Sequence, residues 1–252
     1  MRQLANDLGV GHSTLSKWER GELLPKTEDV ASILAKLGIT GDERDRLLEM
    51  ARHAHDPQWM AVGVPGIKQQ LSALMEFEKE ATEIVNCSPL LIPGPLQIGD
   101  YIRGIMGKRP QADTRVAMRL GRSDILTRRN PVRFTALIGE AALTYQIGDA
   151  DIMAAQLRHL LTMSERSNIT IQVMPTNAGY HPGMLGPFIA LHFKKLRPIV
   201  HLEHFGASGF VYDDDDVHDF VEAAAHIATE IAMSPADSAG LIADVAHHTE
   251  VK

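Results

Sequence analysis

Six polar residues near the amino end fall at spacings that place them on the outer side of one short helix: His12, Ser13, Thr14, Ser16, Lys17 and Arg20. Short hydrogen-bonding side chains with a cation or two suit base edges and phosphates in the major groove, where every base pair shows its own donor and acceptor pattern. The neighbouring residues supply what such a helix needs. Ala5 is small enough for two helices to cross closely, Gly9 suits the turn between them, and Val10 fills the space beneath that turn. Leu15 and Trp18 face inward and hold the second helix to its support. A helical hairpin with a merely polar outer face is the alternative that spacing alone leaves open.

Other reactive residue types lie further along. His201-Leu202-Glu203-His204 offers metal-ligating groups, but a strand sends His201 and Glu203 to one face and His204 to the other. No Cys pair and no His-Glu-x-x-His accompanies them. They read as satisfied polar groups at a sheet edge, and neither a metal nor a cofactor is expected. The four aspartates at 213–216 complement the positive amino end of a helix. Gly94, Gly99 and Gly104 lack the Gly-Lys-Ser/Thr of a phosphate loop. Ser208 and Cys87 have no placed base, so no catalytic residue and no enzymatic activity is expected.

Arg115, Arg119 and Arg122 share one helical face by their spacing, and Glu78 interrupts an apolar stripe formed by Ile67, Leu71, Leu74, Ala81 and Val85. A carboxylate on a buried stripe needs a partner, and arginine can fork onto it. An ion pair between Glu78 and Arg119 or Arg122 is therefore expected. A solvated basic face, or an extension of a DNA footprint, stays open beside it.

The elements that carry these groups follow from periodicity and punctuation. Residues 1–54 read as short helices: one over Leu4, Ala5 and Leu8, a second at 12–19, a third capped by Thr27, and a fourth started by Thr40-Gly41-Asp42-Glu43. Residues 55–66 hold two prolines and two glycines and read as a linker. Residues 67–252 mix periods. Helices are expected along the 67–85 stripe and at 99–106, 114–128, 152–165 and 217–233, with a short one opened by Ser234-Pro235. Strands are expected at 132–138, 169–174, 188–193 and 199–205. The fold class is a mostly α helix-turn-helix domain followed by a larger α+β domain.

The chain has 252 residues, 44% of them hydrophobic, enough for a substantial core. It contains no apolar run of about 18 residues and no signal-peptide core, so a soluble cytoplasmic protein without a membrane span is expected. Cys87 is the single cysteine, which excludes an internal disulfide and cysteine-based zinc modules. Net charge is −7 and unevenly spread. Residues 1–60 carry 8 Lys and Arg against 10 Asp and Glu, whereas residues 103–133 carry 9 against 2. A weakly acidic DNA-binding module has little non-specific affinity, so dimerisation is expected to accompany tight binding.

Leu4-Ala5, Gly9-Val10, Ser13-Thr14-Leu15-Ser16 and Glu19-Arg20-Gly21, with Pro25 after them, resemble the XRE (lambda-repressor-like) helix-turn-helix over residues 1–54. The resemblance implies binding to a double-stranded DNA operator. Further on, Phe77-Glu78-x-x-Ala81, Pro93-Gly94-x-Leu96-Gln97, Arg119-x-x-Arg122 and Glu140-Ala141-Ala142-Leu143 resemble the C-terminal domain of antitoxin-like XRE regulators of actinomycetes, the WhiJ-like group. Gln156-Leu157-x-x-Leu160, Ile171-Gln172-Val173-Met174-Pro175, Gly186-Pro187-Phe188 and Glu203 continue that resemblance across most of 67–233. It implies control by a small partner protein encoded nearby.

Two departures from the XRE pattern matter. The family begins with a helix before the Leu-Ala one, and this first helix is missing ahead of Met1. Either translation starts further upstream or the domain lacks the wall that covers Leu4, Leu8 and Leu15. Gly11 stands where a serine commonly caps the recognition helix, a change worth only a few tenths of a kcal/mol. The expected function is a sequence-specific DNA-binding transcriptional regulator whose C-terminal domain binds a partner protein or ligand. The alternative is an antitoxin-like, partner-binding protein whose helix-turn-helix remnant no longer binds DNA.

Overall fold

Glycine ends each of the first three helices. These are α1 (Arg2–Leu8), α2 (His12–Glu19) and α3 (Thr27–Lys36), with α4 (Gly41–His53) after them. Gly9, Gly21 and Gly38 have φ of 68°, 71° and 72°, the left-handed region that a residue without Cβ enters cheaply. Each closes the helix before it with the same hydrogen-bond pair. Gly9 N–H donates to Asn6 and Val10 N–H to Ala5, and the pattern recurs at Gly21 and Glu22 and at Gly38 and Ile39. The start of α3 differs from expectation. Lys26, not Thr27, is the extended residue before the helix, and its N–H donates to the Asp29 carboxylate at 3.2 Å.

The computed structural model describes residues 2–53, 60–62, 64–107, 112–204 and 207–250. The chain divides into two compact units, one of Met1–Trp59 with Lys194–Arg197, the other of Met60–Phe193 and Pro198–Lys252. In the first unit each helix contributes one fully buried side chain among the described residues: Ala5, Leu15, Leu34 and Leu48. The linker expected at 55–66 lies largely outside the described residues. What is described of it is regular structure: strand β1 (Met60–Val62) and the beginning of helix α5 (Val64–Glu80).

The second unit is built on a seven-stranded mixed sheet, with helices on both faces. After α5 come β2 (Glu83–Ser88), α6 (Gly99–Met106), α7 (Ala112–Leu120), α8 (Asp124–Thr127), β3 (Arg133–Gly139) and α9 (Glu140–Thr144). Then follow α10 (Ala150–Ser164), β4 (Ile169–Met174), β5 (Phe188–His192), β6 (Ile199–His204), β7 (Ala207–Val211), α11 (Asp214–His226) and α12 (Pro235–Glu250). The strand order is β1-β7-β6-β5-β2-β3-β4. β2, β3 and β4 run parallel, whereas β5, β6, β7 and β1 pair antiparallel.

Alternation along the strands sorts the core. Ile84, Phe134, Ile138, Ile171 and Leu191 pack on one face with Leu74, Tyr101, Leu157 and Ile242 from the helices. Cys87, Leu137, Phe188, Ala190 and Val200 pack on the other with Val217 and Ala224 of α11.

Four expectations need correction. The helical stripe ends at Glu80, and Val85 belongs to β2, a central strand buried from both sides. The helix expected at 114–128 breaks at Leu120 into a 3-10 turn, Gly121–Ser123, and then α8. The aspartates start α11 rather than precede it: Asp213 is its cap and accepts from Asp215 N–H, and the other three fill the first turn. α11 passes into a π-helical turn, Ile227–Ile231, and α12 is a long terminal helix, opened as expected at Ser234-Pro235.

Candidate nucleic-acid interface

α1 and α2 are joined by three residues whose geometry is set locally. Gly9 turns the chain, half-buried Val10 sits beneath it, and Gly11 enters α2 in an extended conformation without a side-chain cap. Ala5 and Leu15 are fully buried where the helices meet, and Trp18 is half-buried one turn further on. The opposite side of α2 holds five of the six polar residues, and Arg20 caps its carboxyl end. His12, Ser13, Lys17 and Arg20 are exposed, while Thr14 and Ser16 are half-buried. The first-turn amides of α2 sit at the positive end of the helix dipole, beside His12 and Ser13, where a phosphate is favoured.

Not all six are equally available. Arg20 donates to the Glu22 carboxylate at 2.6 and 3.1 Å and to Ser16 Oγ at 2.6 Å. The hydrogen bond to Glu22 holds the Arg20 guanidinium above its ordinary pKa and the Glu22 carboxyl below its own. Glu22 did not figure among the candidate residues, although an acid two positions after Arg20 and just beyond the helix-ending Gly21 is within reach of it. His12, Ser13 and Lys17 thus form the open part of the face, with Thr14 beside them.

The second unit holds the other candidate group. Glu78, near the end of α5, accepts from Arg122 Nε at 2.9 Å and Nη2 at 2.7 Å, with side chains 1% and 3% exposed. Burial works against the charge on Arg122, but the charge and hydrogen bonds of Glu78 outweigh it and hold its pKa above the ordinary value. Gly94 makes room for this fork. A Cβ there would lie 2.4 Å from Arg122 Nη1. Arg119 does not reach Glu78. It lies 3.6 Å from Glu203 on β6, and burial pulls its pKa down. Arg115 is half-buried on the same helix as Arg119.

His201 is not the satisfied edge residue expected of it. β6 is an interior strand, His201 is fully buried against Phe210, and neither ring nitrogen has a hydrogen-bond partner among the described residues. Burial pulls its pKa down to about 4, helped by the Arg122 charge and opposed by Glu203. Cys87 is buried under α11, and burial pushes its thiol up to about 12. Among the described residues no three His, Cys, Asp or Glu side chains are grouped to hold a metal ion. No described helix is long and apolar enough to cross a membrane.

Comparison with known proteins follows the same division. Residues 1–47 match a family model described as a helix-turn-helix domain, of XRE-like type. Residues 71–244 match the model of a domain of unknown function, DUF5753. No curated protein and no solved structure matches the chain. The second match covers well over half of the sequence, and the chain belongs to the DUF5753 family, with an XRE-like helix-turn-helix at its amino end.

Proposed function

We propose that the chain is a sequence-specific transcriptional regulator that lays α2 in the major groove of a DNA operator, and that its DUF5753 unit receives a partner protein controlling it. The helix-turn-helix domain suggests a DNA-binding regulator. The observation that carries the reading is the outer side of α2, where His12, Ser13 and Lys17 stand exposed above a crossing closed by Ala5 and Leu15. In this reading the chain binds ligands without transforming them, works in the cytoplasm, and belongs with the antitoxin-like regulators of actinomycetes that it resembles. Glu140, Gln156, Gln172 and Glu78 then serve the scaffold. Gln156, for example, takes Ile98 N–H at 2.8 Å and donates to Leu96 O at 2.8 Å, fixing the turn beneath Arg122.

The test is selection from a random duplex library, followed by binding at fixed salt. Thr14→Ala and Lys17→Ala should each weaken the selected site. Lys17→Ala should also flatten the salt dependence by about one unit of slope, the loss of one phosphate contact. Unchanged specific affinity in both variants would overturn the assignment. The engagement of Arg20 by Glu22 and Ser16 favours a second reading, a partner-binding protein whose helix-turn-helix no longer reads DNA. Failure of any sequence to enrich would select that one.

A further inference from the structure

Cys87 and His181 meet at one glycine. Cys87 lies near the end of β2, on the sheet face that α11 covers, and pairs with Phe188 of β5. The segment that enters β5 therefore passes beside it. That segment holds a 3-10 turn, Pro182–Leu185, and His181 precedes the proline in extended backbone, with φ −150° and ψ 158°. Met184 N–H closes the turn on His181 O at 3.0 Å. Gly183, inside the turn, is buried.

A Cβ on Gly183 would lie 3.1 Å from Cys87 Sγ, 3.1 Å from His181 Nδ1 and 3.2 Å from Cε1 of the same ring. The sulfur and the nitrogen thus converge on one place and are no more than twice 3.1 Å apart. His181 is 7% exposed, and its Nδ1 is buried without a hydrogen-bond partner among the described residues. Cys87 is fully buried and in no disulfide. A buried nitrogen without a partner is costly, and a ligand that takes its lone pair removes the cost. Metal bonds to thiolate sulfur and imidazole nitrogen run about 2.3 and about 2.0 Å, so an ion in line between them wants the donors about 4.3 Å apart. The approach at Gly183 accommodates that spacing.

Which ion fits follows from ligand number and charge. Among the described residues no third His, Cys, Asp or Glu is grouped with the pair, although His226 of α11 is near enough to bear on the His181 charge. Zinc takes four ligands and does not find them here. Cu(I) is content with two, and soft sulfur ligands select it. As the S–Cu bond forms the thiol proton leaves to water, and a cuprous ion on a thiolate carries no net charge. A divalent ion would keep a positive charge in a buried place whose loops, 88–98 and 175–187, contain no Asp, Glu, Lys or Arg. Two thioethers stand by. Met174 packs in the same apolar cluster as Cys87, and Met184, next to Gly183, is 62% exposed and offers a first ligand to an arriving ion.

We propose that Cys87 and His181 form a Cu(I) site at the carboxyl edge of the parallel strands, with Gly183 leaving room for the ion. The expectation that the chain takes no metal weighed the histidines near Glu203 and the lack of a cysteine pair. It could not weigh a cysteine and a histidine that only the pairing of β2 with β5 brings together. The inference stands on the second unit alone and does not depend on the DNA-binding reading.

Anaerobic titration of the reduced full chain with Cu(I), in competition with the coloured Cu(I) chelator bathocuproine disulfonate, tests it. The wild type should retain one Cu(I) per chain, with a near-ultraviolet band from sulfur-to-copper charge transfer. Cys87→Ala should lose the band. Both it and His181→Leu should weaken binding by more than the about 10–100-fold that loss of an outer partner costs. Gly183→Ala keeps both donors but fills the place between them, and should weaken binding as much. The double variant His247→Ala, His248→Ala, at two exposed histidines of α12, should bind as the wild type does. Circular dichroism shows which variants fold. Should Cys87→Ala not fold, X-ray absorption at the copper edge of the wild-type complex decides: one sulfur and one nitrogen neighbour support the site, and a shell without sulfur refutes it. A wild type that yields all its copper to the chelator, or Cu(I) held undiminished by Cys87→Ala, would overturn the proposal. So would tighter retention of Zn(II) than of Cu(I), lost in His226→Ala.

Discussion

Replacing Glu78 by glutamine would leave the Arg122 guanidinium buried with its charge uncompensated. The magnitude follows from the surroundings. The two side chains are 1% and 3% exposed and joined by two short hydrogen bonds, with Gly94 against the guanidinium, so water has no open route to replace the lost partner. Breaking a pair of this kind by removing one member costs about 3–5 kcal/mol. The same chemistry at the surface serves as a control. Arg133 and Glu83 lie 2.6 Å apart with side chains 75% and 37% exposed, and Glu83→Gln should cost about 0–1 kcal/mol. Urea unfolding followed by far-ultraviolet circular dichroism measures both. Glu78→Gln should lower the free energy of the second unit's transition by several kcal/mol and its Tm by roughly 10 °C. Glu78→Leu with Arg122→Met should cost far less than the sum of the single changes, because no charge is then left alone. A loss below about 1 kcal/mol for Glu78→Gln, or strictly additive single changes, would refute the reasoning.

Two further outcomes can be read from the same unit. His201 is held neutral by burial with a pKa of about 4. An unfolded histidine titrates near 6.5, so between those values the unfolded chain binds a proton that the folded chain refuses. Stability is therefore full above about pH 6.5, falls as pH drops toward 4 and levels off below, by roughly 3 kcal/mol for this group. His201→Leu should flatten the pH dependence of urea stability in that window, and a slope equal to wild type would count against it. Two glycines should respond in opposite directions in thermal melts. Gly139→Ala meets the Pro89 backbone and should lower stability by about 1–3 kcal/mol or more. Gly240→Ala, within α12 and with no atom near its Cβ position, should raise it by about 1 kcal/mol. A reversed order would show that the close approach at Pro89 is not tight.

The parts of the fold that announce themselves are those whose signals are local. Gly9, Gly21 and Gly38 end helices through their own conformation, so the helix-turn-helix is readable without its neighbours. β4 is bounded as periodicity suggests, and the candidate reading face of α2 follows from counting residues around a helix. β2 was hidden because it is buried from both sides. Such a strand does not alternate, and Ala81 and Val85 continue the spacing of the helical stripe before it. β1 and β7 are short and depend on pairing, β1 with β7 and β7 also with β6, which no local pattern encodes. Glu78 stands out because it interrupts an apolar stripe, yet which arginine turns toward it depends on the break after Leu120. That 3-10 turn sends Arg122 inward and leaves Arg119 opposite Glu203. The isolation of His201 could not be read either, since it results from β6 lying between β5 and β7.

The position of β2 has a consequence for how the chain acquires its shape. The helix-turn-helix is made of contacts between near neighbours and can form as soon as it leaves the ribosome. β2 must wait. Its parallel partner brings Arg133 to Glu83, 50 residues later, and its antiparallel partner brings His192 O to Thr82, 110 residues later. Until that second partner is synthesised, one side of the central strand remains an open ladder of Ile84, Val85 and Cys87. A stalled or truncated nascent chain that stops before β5 would thus carry a sticky half-sheet behind an already folded head. The interval between those two events, rather than the final stability, sets how exposed the growing chain is to misassembly.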